Sequence, residues 1–382
     1  MATKTIAQLT PNPAPALTDL IEVDDGAGNS FKETLNDVIN LTFPAGVTIT
    51  YAGTLPPTFP PIIEVDQTSG IAATGASGVP MPITVFTGYC SQTPIAFTDP
   101  FGSLTTLSFD NLAGLMGAVS FSPQTAANLT RLAAPELIYI GGAFQPSTMA
   151  SLTTMSFANL TYVGSTFGPT TMASLTTLSF PALTFVNSNF QPSTMASLTT
   201  MSFPSLKILG ASFTASAMAS LTTFSFPVLS FVGGNFTPSS MAALTTISLP
   251  ALQYQGYSPF GSFSVASMAS LATLSLPAMI SYNGTITANT GLGNLASVTL
   301  GTVGTLKSIV GATINISGQK LDRASVNGIL ALLVSLDGTG GTTLWGAGKT
   351  VNLSGGTSAA PSGQGIIDKA TLVARTATVT TN

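Results

Sequence analysis

Histidine is absent from all 382 residues, cysteine and tryptophan occur once each, and charged residues make up only 6% of the chain. Each shortage excludes something. Without histidine there is no Ser–His–Asp triad, no imidazole base and no His-ligated zinc site. A lone Cys90 excludes an intramolecular disulfide framework; it fits a small buried hydrophobe in a protein made in a reducing cytosol. Three arginines and a net charge of −4 provide no basic stripe to neutralise phosphates, which excludes nucleic acid as a partner. Hydrophobic residues reach 45%, yet no run of about 18 apolar residues occurs, so no membrane insertion is expected. The start, Met1 to Gln8, lacks the apolar core of a secretory signal. Between Glu136 and Asp322 no acidic residue occurs, and the only basic ones are Lys207, Lys307 and Lys320. Such a stretch is expected to bind or build rather than catalyse.

What fills that stretch is repetition. The phrase Met-Ala-Ser-Leu-Thr-Thr begins at Met149, Met172, Met195 and Met218, then returns in varied form, as Met-Ala-Ala-Leu at Met241 and Met-Ala-Ser-Leu at Met268. The first four steps are 23 residues and the last is 27. A fixed period of this size marks a solenoid, in which each coil buries its apolar face against its neighbours. Leading leucines at 104, 129, 152, 175, 198, 221, 244, 271 and 295 predict nine coils. In the clearest one, Leu178 and Phe180 share one side of a short strand, and Thr177 and Ser179 the other. Pro181 ends the strand, since its nitrogen cannot donate to a ladder, and prolines at 135, 204, 227, 250 and 277 repeat that corner. Gly141, Gly142, Gly210, Gly233 and Gly234 are expected to supply permissive dihedrals at a later corner. Stacking at ~4.8 Å per coil gives a rod of roughly 40–45 Å with Leu, Phe, Val and Met columns inside. The Met column is core filler.

Texture divides the chain into residues 1–42, 43–100, 101–318 and 319–382. The first segment holds 6 of the 14 acidic residues and prolines 11, 13 and 15. Ile21–Val23 alternates like a strand, Asp25-Gly26 is a turn, and 30–39 has the pattern of a short helix. So little apolar matter suggests docking onto a partner or a sister chain. Residues 43–100 read as irregular strands that cap the first coil. Past 319, Val326, Ile329, Leu330, Leu333 and Leu336 form one helical stripe that covers the last coil or pairs with copies of itself. A second helix near 364–375 and a strand over 377–380 follow. The fold class expected is mainly β: an LRR-like or β-solenoid array with an N-terminal attachment segment and a small α/β C-terminal cap.

The spacing of Leu221, Phe224, Phe226, Pro227, Leu229, Val232 and Gly233 resembles atypical leucine-rich repeats of the receptor-L-domain type, and the 23-residue repeats of bacterial surface proteins. One departure is that the asparagine column of that family is occupied here by Leu160, Leu183, Leu206 and Leu229. The corner must therefore be satisfied otherwise, and a β-helix-like coil stays open. The ends carry a second resemblance. Ile6 to Pro11, Thr18 to Val23 and Ser30 to Leu35 are similar to the leader by which tailed-phage fibre and appendage proteins attach to the virion. Val326 to Leu330, Lys349 to Gly356 and Thr378 to Asn382 resemble a C-terminal module of phage fibre proteins. The resemblance implies a virion structural protein assembled in the host cytoplasm, held to other virion proteins through residues 1–42. It also implies a homo-oligomer, a trimer by analogy with fibres, that contacts a host-surface glycan or protein. The alternatives are a head or neck decoration protein with a purely structural role, and a bacterial surface adhesin.

No catalytic, cofactor-binding or metal-binding residue is expected, and no cofactor. Glycoside cleavage needs two carboxyl groups about 5–9.5 Å apart, and the body of the array has none. Asp99, Asp110 and Glu136 near its start are expected to be structural. Gly346 to Thr350 imitates a P-loop, but the first glycine of that motif falls at Thr343. Two surfaces remain as binding candidates. One is the outward hydroxyl array, represented by Thr177, Ser179, Thr200, Ser202, Thr223 and Ser225, which is either a solvated sheet face or a flat contact surface. The other is the excess sequence of the 27-residue coil, with Tyr254, Tyr257 and Phe260, read either as a binding loop or as a plain loop packed back on its coil.

Overall fold

The computed structural model describes residues 120–256 and 261–382 without a break. Before them it describes residues 106–109, 111–115 and 118 and six short strands. The chain is mainly β, and its repeats wind as a parallel β-solenoid of about eleven turns. Contacts divide it into two units, Met1–Leu160 and Thr161–Asn382.

In the first unit Thr5–Ile6, Leu20–Asp24 and Ser30–Thr34 form an antiparallel meander. The helix expected over 30–39 is therefore corrected at its start: Ser30–Thr34 is a strand whose register sets Val23 opposite Phe31 and Glu22 opposite Lys32. Leu20–Asp24 supplies an alternating partner for this segment, and pairing overrides local helix propensity. Residues 35–39 lie outside the described residues. Thr48–Tyr51 pairs in parallel with Ala72–Gly75. Thr87–Cys90 pairs in parallel with Asn111–Leu115, which pairs with Tyr139–Ile140. A second parallel sheet joins Thr106–Ser108, Arg131–Ala133 and Thr154–Ser156. Coiling thus begins before the first leucine-led repeat, one reason the turns outnumber the nine predicted.

In the second unit each coil has three β segments and, among the described residues, no helix. The first is Thr177–Ser179, continued in register by Thr200–Ser202 and Thr223–Ser225. The second is Phe185–Val186, between Tyr162–Val163 and Ile208–Leu209. The third is reduced to single bridges at Phe190 and Ser193. Leu175, Leu178, Phe180, Leu183, Val186, Phe190 and Met195 have no solvent exposure, and the Met column from Met172 to Met268 is equally buried.

Register makes the interior a set of stacks. Phe167, Phe190, Phe213, Phe236 and Phe263 follow one another at 4.8–5.0 Å between ring centroids. Phe180, Phe203 and Phe226 form a second stack that meets the first edge-on, as Phe190 and Phe203 do at 4.9 Å. Each such pair contributes about 0.5–1.5 kcal/mol beyond its buried area.

The first corner is satisfied without an asparagine, as expected, and the later one departs from what the sequence predicts. Leu183, in the column where an asparagine would bond the corner, instead donates its N–H to Phe180 O at 3.4 Å, and Leu206 does the same to Phe203 O at 3.3 Å. A β-turn closes the corner, so no side-chain amide is required. At the later corner Gly210, Gly233 and Gly234 do not adopt positive φ. A Cβ on Gly210 would overlap the Asn187 carbonyl, and one on Gly233 the Gly210 carbonyl. These glycines serve close approach of backbones, not dihedral freedom. The left-handed conformation belongs to Thr171, Thr194, Ala217, Ser240 and Ser267, with φ of 56–58°. That conformation costs roughly 1–2 kcal/mol per non-glycine residue, and bonds on both sides hold it. Thr194 N–H donates to Ser216 O, and Thr194 O accepts from Met172 N, both at 3.2 Å.

The array closes with α1 (Arg323–Val334) and α2 (Gln364–Ala374). Asp322 caps α1 by accepting the Ser325 N–H at 2.7 Å. The predicted stripe of Val326, Ile329, Leu330, Leu333 and Leu336 is buried. Of the two roles expected for it, α1 covers the last coil. The Val298 N–H, on the last strand of its sheet, is taken by Ser325 Oγ at 2.9 Å. Lys349 Nζ donates to the carbonyls of Ile309, Val310 and Gly311 at 3.4, 2.6 and 3.2 Å, which ends the second-strand ladder. Thr350–Asn352, unanticipated from sequence, and Thr378–Thr380 extend the third-segment sheet in parallel beyond Thr313–Asn315.

Candidate interaction surface

The first-segment strands alternate because their middle residue enters the core. Leu178, Met201 and Phe224 are buried, which turns Thr177, Thr200 and Thr223 outward along one row and Ser179, Ser202 and Ser225 along another. In-register pairing spaces both rows at the interstrand distance of ~4.8 Å. The neighbouring threonines act differently. Thr199 Oγ1 donates to Thr176 O at 3.1 Å, and Thr222 Oγ1 to Thr199 O at 3.2 Å. Consecutive threonines thus divide the work, the first stitching coils and the second facing outward.

A second surface escaped the sequence reading. On the second-segment sheet the inward positions are Val163, Val186, Leu209 and Val232. Their partners Tyr162, Phe185, Ile208, Phe231 and Tyr254 therefore project from the other face as a continuous ladder. Tyr162 and Phe185 stack at 5.3 Å with planes 4° apart, and Tyr254 is 41% exposed. The signal was present in each Phe-Val pair, since adjacent strand residues must face opposite ways. The sheet's two-residue strands are too short for alternation to stand out. Beside the ladder Thr184 Oγ1 and Ser230 Oγ bond the carbonyls of Thr161 and Lys207.

The structure places Tyr254 at the end of this ladder, within the 27-residue coil. Tyr257 and Phe260 lie outside the described residues. Gln255 holds the base of that insertion: it occupies the column of Val186, Leu209 and Val232, buried, and its amide donates to Gly234 O, Gly261 O and Ser262 O at 2.9, 3.0 and 3.3 Å.

Electrostatics in the described part is sparse. Burial raises the Tyr282 phenol well above its ordinary value while its hydroxyl donates to Leu300 O at 2.8 Å. Burial lowers Lys349, whose ammonium lies 5.3 Å from the Trp345 ring centroid. The apparent P-loop lysine is therefore committed to carbonyls of its own chain. Thr339, through its hydroxyl and N–H, lowers the Asp337 carboxyl. Glu136 is exposed, while Asp99 and Asp110 lie outside the described residues. Among the described residues no three His, Cys, Asp or Glu side chains gather, and no helix is long and apolar enough to cross a membrane. A cleft of about 200 Å³ between α1 and Ser297–Thr299 has Asp322 as its only charged group. It is smaller than the ~300–1,000 Å³ usual for ligand sites. The arrangement provides rows of hydroxyls and apolar edges, suited to non-covalent contact along an extended partner. Compared with protein-family models, curated proteins and solved structures, the chain finds no match in any of the three.

Proposed function

We propose that this chain is a non-enzymatic structural protein of a tailed-phage virion, a fibre or appendage anchored through residues 1–42, whose solenoid contacts the host surface. Supporting this reading are the resemblances at the two ends and one observation above all. The outer faces are registered, nearly uncharged rows, Thr177–Thr200–Thr223 on one side and Tyr162 to Tyr254 on another. Repetition of one contact over many coils lets weak interactions add. A neutral hydroxyl and aromatic surface suits a host glycan or a protein loop, with no charge to be desolvated.

Three experiments test it. Antibodies raised against residues 161–382 should label purified particles of the phage that encodes the chain; unlabelled particles reject a virion role. Purified protein should also bind host cells, and Thr177→Glu together with Thr223→Glu, or Phe185→Glu, should weaken that binding. Binding unchanged in both variants removes these faces from the contact. If deletion of residues 1–42 leaves incorporation intact, the anchor lies elsewhere.

A further inference from the structure

α2 is built inside out. Its buried residues are Gly365, Asp368 and Leu372, whereas Ile366, Ile367 and Val373 are 57%, 57% and 51% exposed. Ala370 and Ala374 are exposed between and beside them, so the spacing i, i+1, i+4, i+7, i+8 makes one apolar stripe along the helix. Leu344, itself 53% exposed, adjoins the C-terminal end of α2, where its Cγ and the Arg375 carbonyl flank the same point at Gly346.

This orientation is enforced. A Cβ at Gly365 would overlap Asn327 of α1, so α2 is seated on its glycine. Asn327 bonds Ser362 twice, at 3.2 Å each, ahead of the first turn. Arg375 donates to Val334 O at 2.9 Å and Leu336 O at 3.3 Å past the last turn. Lys369 Nζ reaches Thr381 Oγ1 at 2.8 Å. The helix cannot roll to bury its isoleucines without breaking all of these.

We infer that the α2 stripe is an interface between copies of this chain, α2 of one packing against α2 of the next. The charges on α2 are turned away from it: Asp368 is buried and accepts from Gln364 at 3.0 Å, and Lys369 is engaged as above. An uncharged surface selects no ionic partner and meets its own copy without repulsion. Ala370 and Ala374 let two helix backbones approach closely. Covering the stripe and Leu344 in two copies removes on the order of 1,000 Å² from water, the threshold for a specific contact. The inference holds whether or not the chain belongs to a virion.

Light scattering after size exclusion should give a multiple of 38.7 kDa for the full chain, and 38.7 kDa for Ile366→Glu with Ile367→Glu. Val303→Glu, at a 58% exposed site off the stripe, should leave the wild-type mass unchanged. In a Cys90→Ser background, Ala370→Cys should cross-link under oxidation. A monomeric wild type overturns the inference, as does a glutamate variant of wild-type mass or an oligomer that Ala370→Cys does not cross-link. Binding of a monomeric wild type to phosphatidylcholine vesicles, lost in the glutamate variant, would assign the stripe to lipid instead.

Discussion

Tyr282 and Lys349 show how a chain with few titratable groups uses two of them. Tyr282 occupies the inward column shared by Val186 and Leu209, fully buried, so its phenol stays protonated in the fold well past the unfolded value of about 10. The native state then holds a proton that the unfolded state gives up. Stability is therefore complete below about pH 10 and declines above it as the unfolded chain ionises. Urea titrations between pH 8 and 11 should show this decline, and Tyr282→Phe should flatten it while costing about 0.5–1.5 kcal/mol at neutral pH for the lost bond to Leu300 O. Lys349 works at the opposite end of the hydrogen-bond inventory. Its ammonium collects three carbonyls that no further coil would satisfy. Lys349→Met should lower stability by up to about 1 kcal/mol in the same titrations, because it removes bonds to part-exposed carbonyls that water can then satisfy in part.

At the scale of the element, the coil is a compromise between stacking distance and side-chain volume. Most columns tolerate bulk because they point into the core or to solvent. At Gly210 and Gly233 of the corner column, which Asn187 shares one coil earlier, there is no such room, since a carbonyl of the preceding coil sits where the Cβ would go. Gly233→Ala, harmless on dihedral grounds because φ is not positive there, should cost about 1–3 kcal/mol through overpacking. Thermal unfolding checks this, and a variant as stable as the parent would contradict the close-approach argument. The left-handed column shows the same logic reversed. Thr194 and its equivalents accept strain because the ladder bonds above and below leave no other path. Sequence gives little warning there, since nothing about Thr or Ser marks a positive φ. The predicted proline corners, by contrast, were legible, because a residue without an N–H can occupy few places in a ladder.

For the molecule as a whole, stability in the repeats must come from apolar burial and backbone ladders, because residues 137–321 hold no acid and only three lysines. Salt screens charges and leaves dispersion and hydrogen bonds nearly untouched. The melting temperature of residues 161–382 within the full chain should therefore change little between low and about 0.15 M sodium chloride, and a large shift would point to ion pairing that dominates the fold. Coil number was underestimated because the leucine phrase marks only the regular coils, whereas Thr87–Cys90 and Thr350–Asn352 join the sheets without it. The hydroxyl rows were legible because their strands are three residues long and alternate visibly. The aromatic ladder on the two-residue strands was not.

Periodicity by itself determined that like residues must superpose, that Leu, Phe and Met columns lie within and Thr and Ser without, and that the repeats carry almost no charge. A repeat states its own environment each time it recurs, so local pattern suffices for the interior. Only tertiary structure decided which glycines answer to a neighbouring carbonyl, that α1 takes the place of the next coil while α2 turns its isoleucines outward, and that Gln255 grips the insertion. Those outcomes depend on contacts between segments far apart in the chain, whose geometry no single repeat contains.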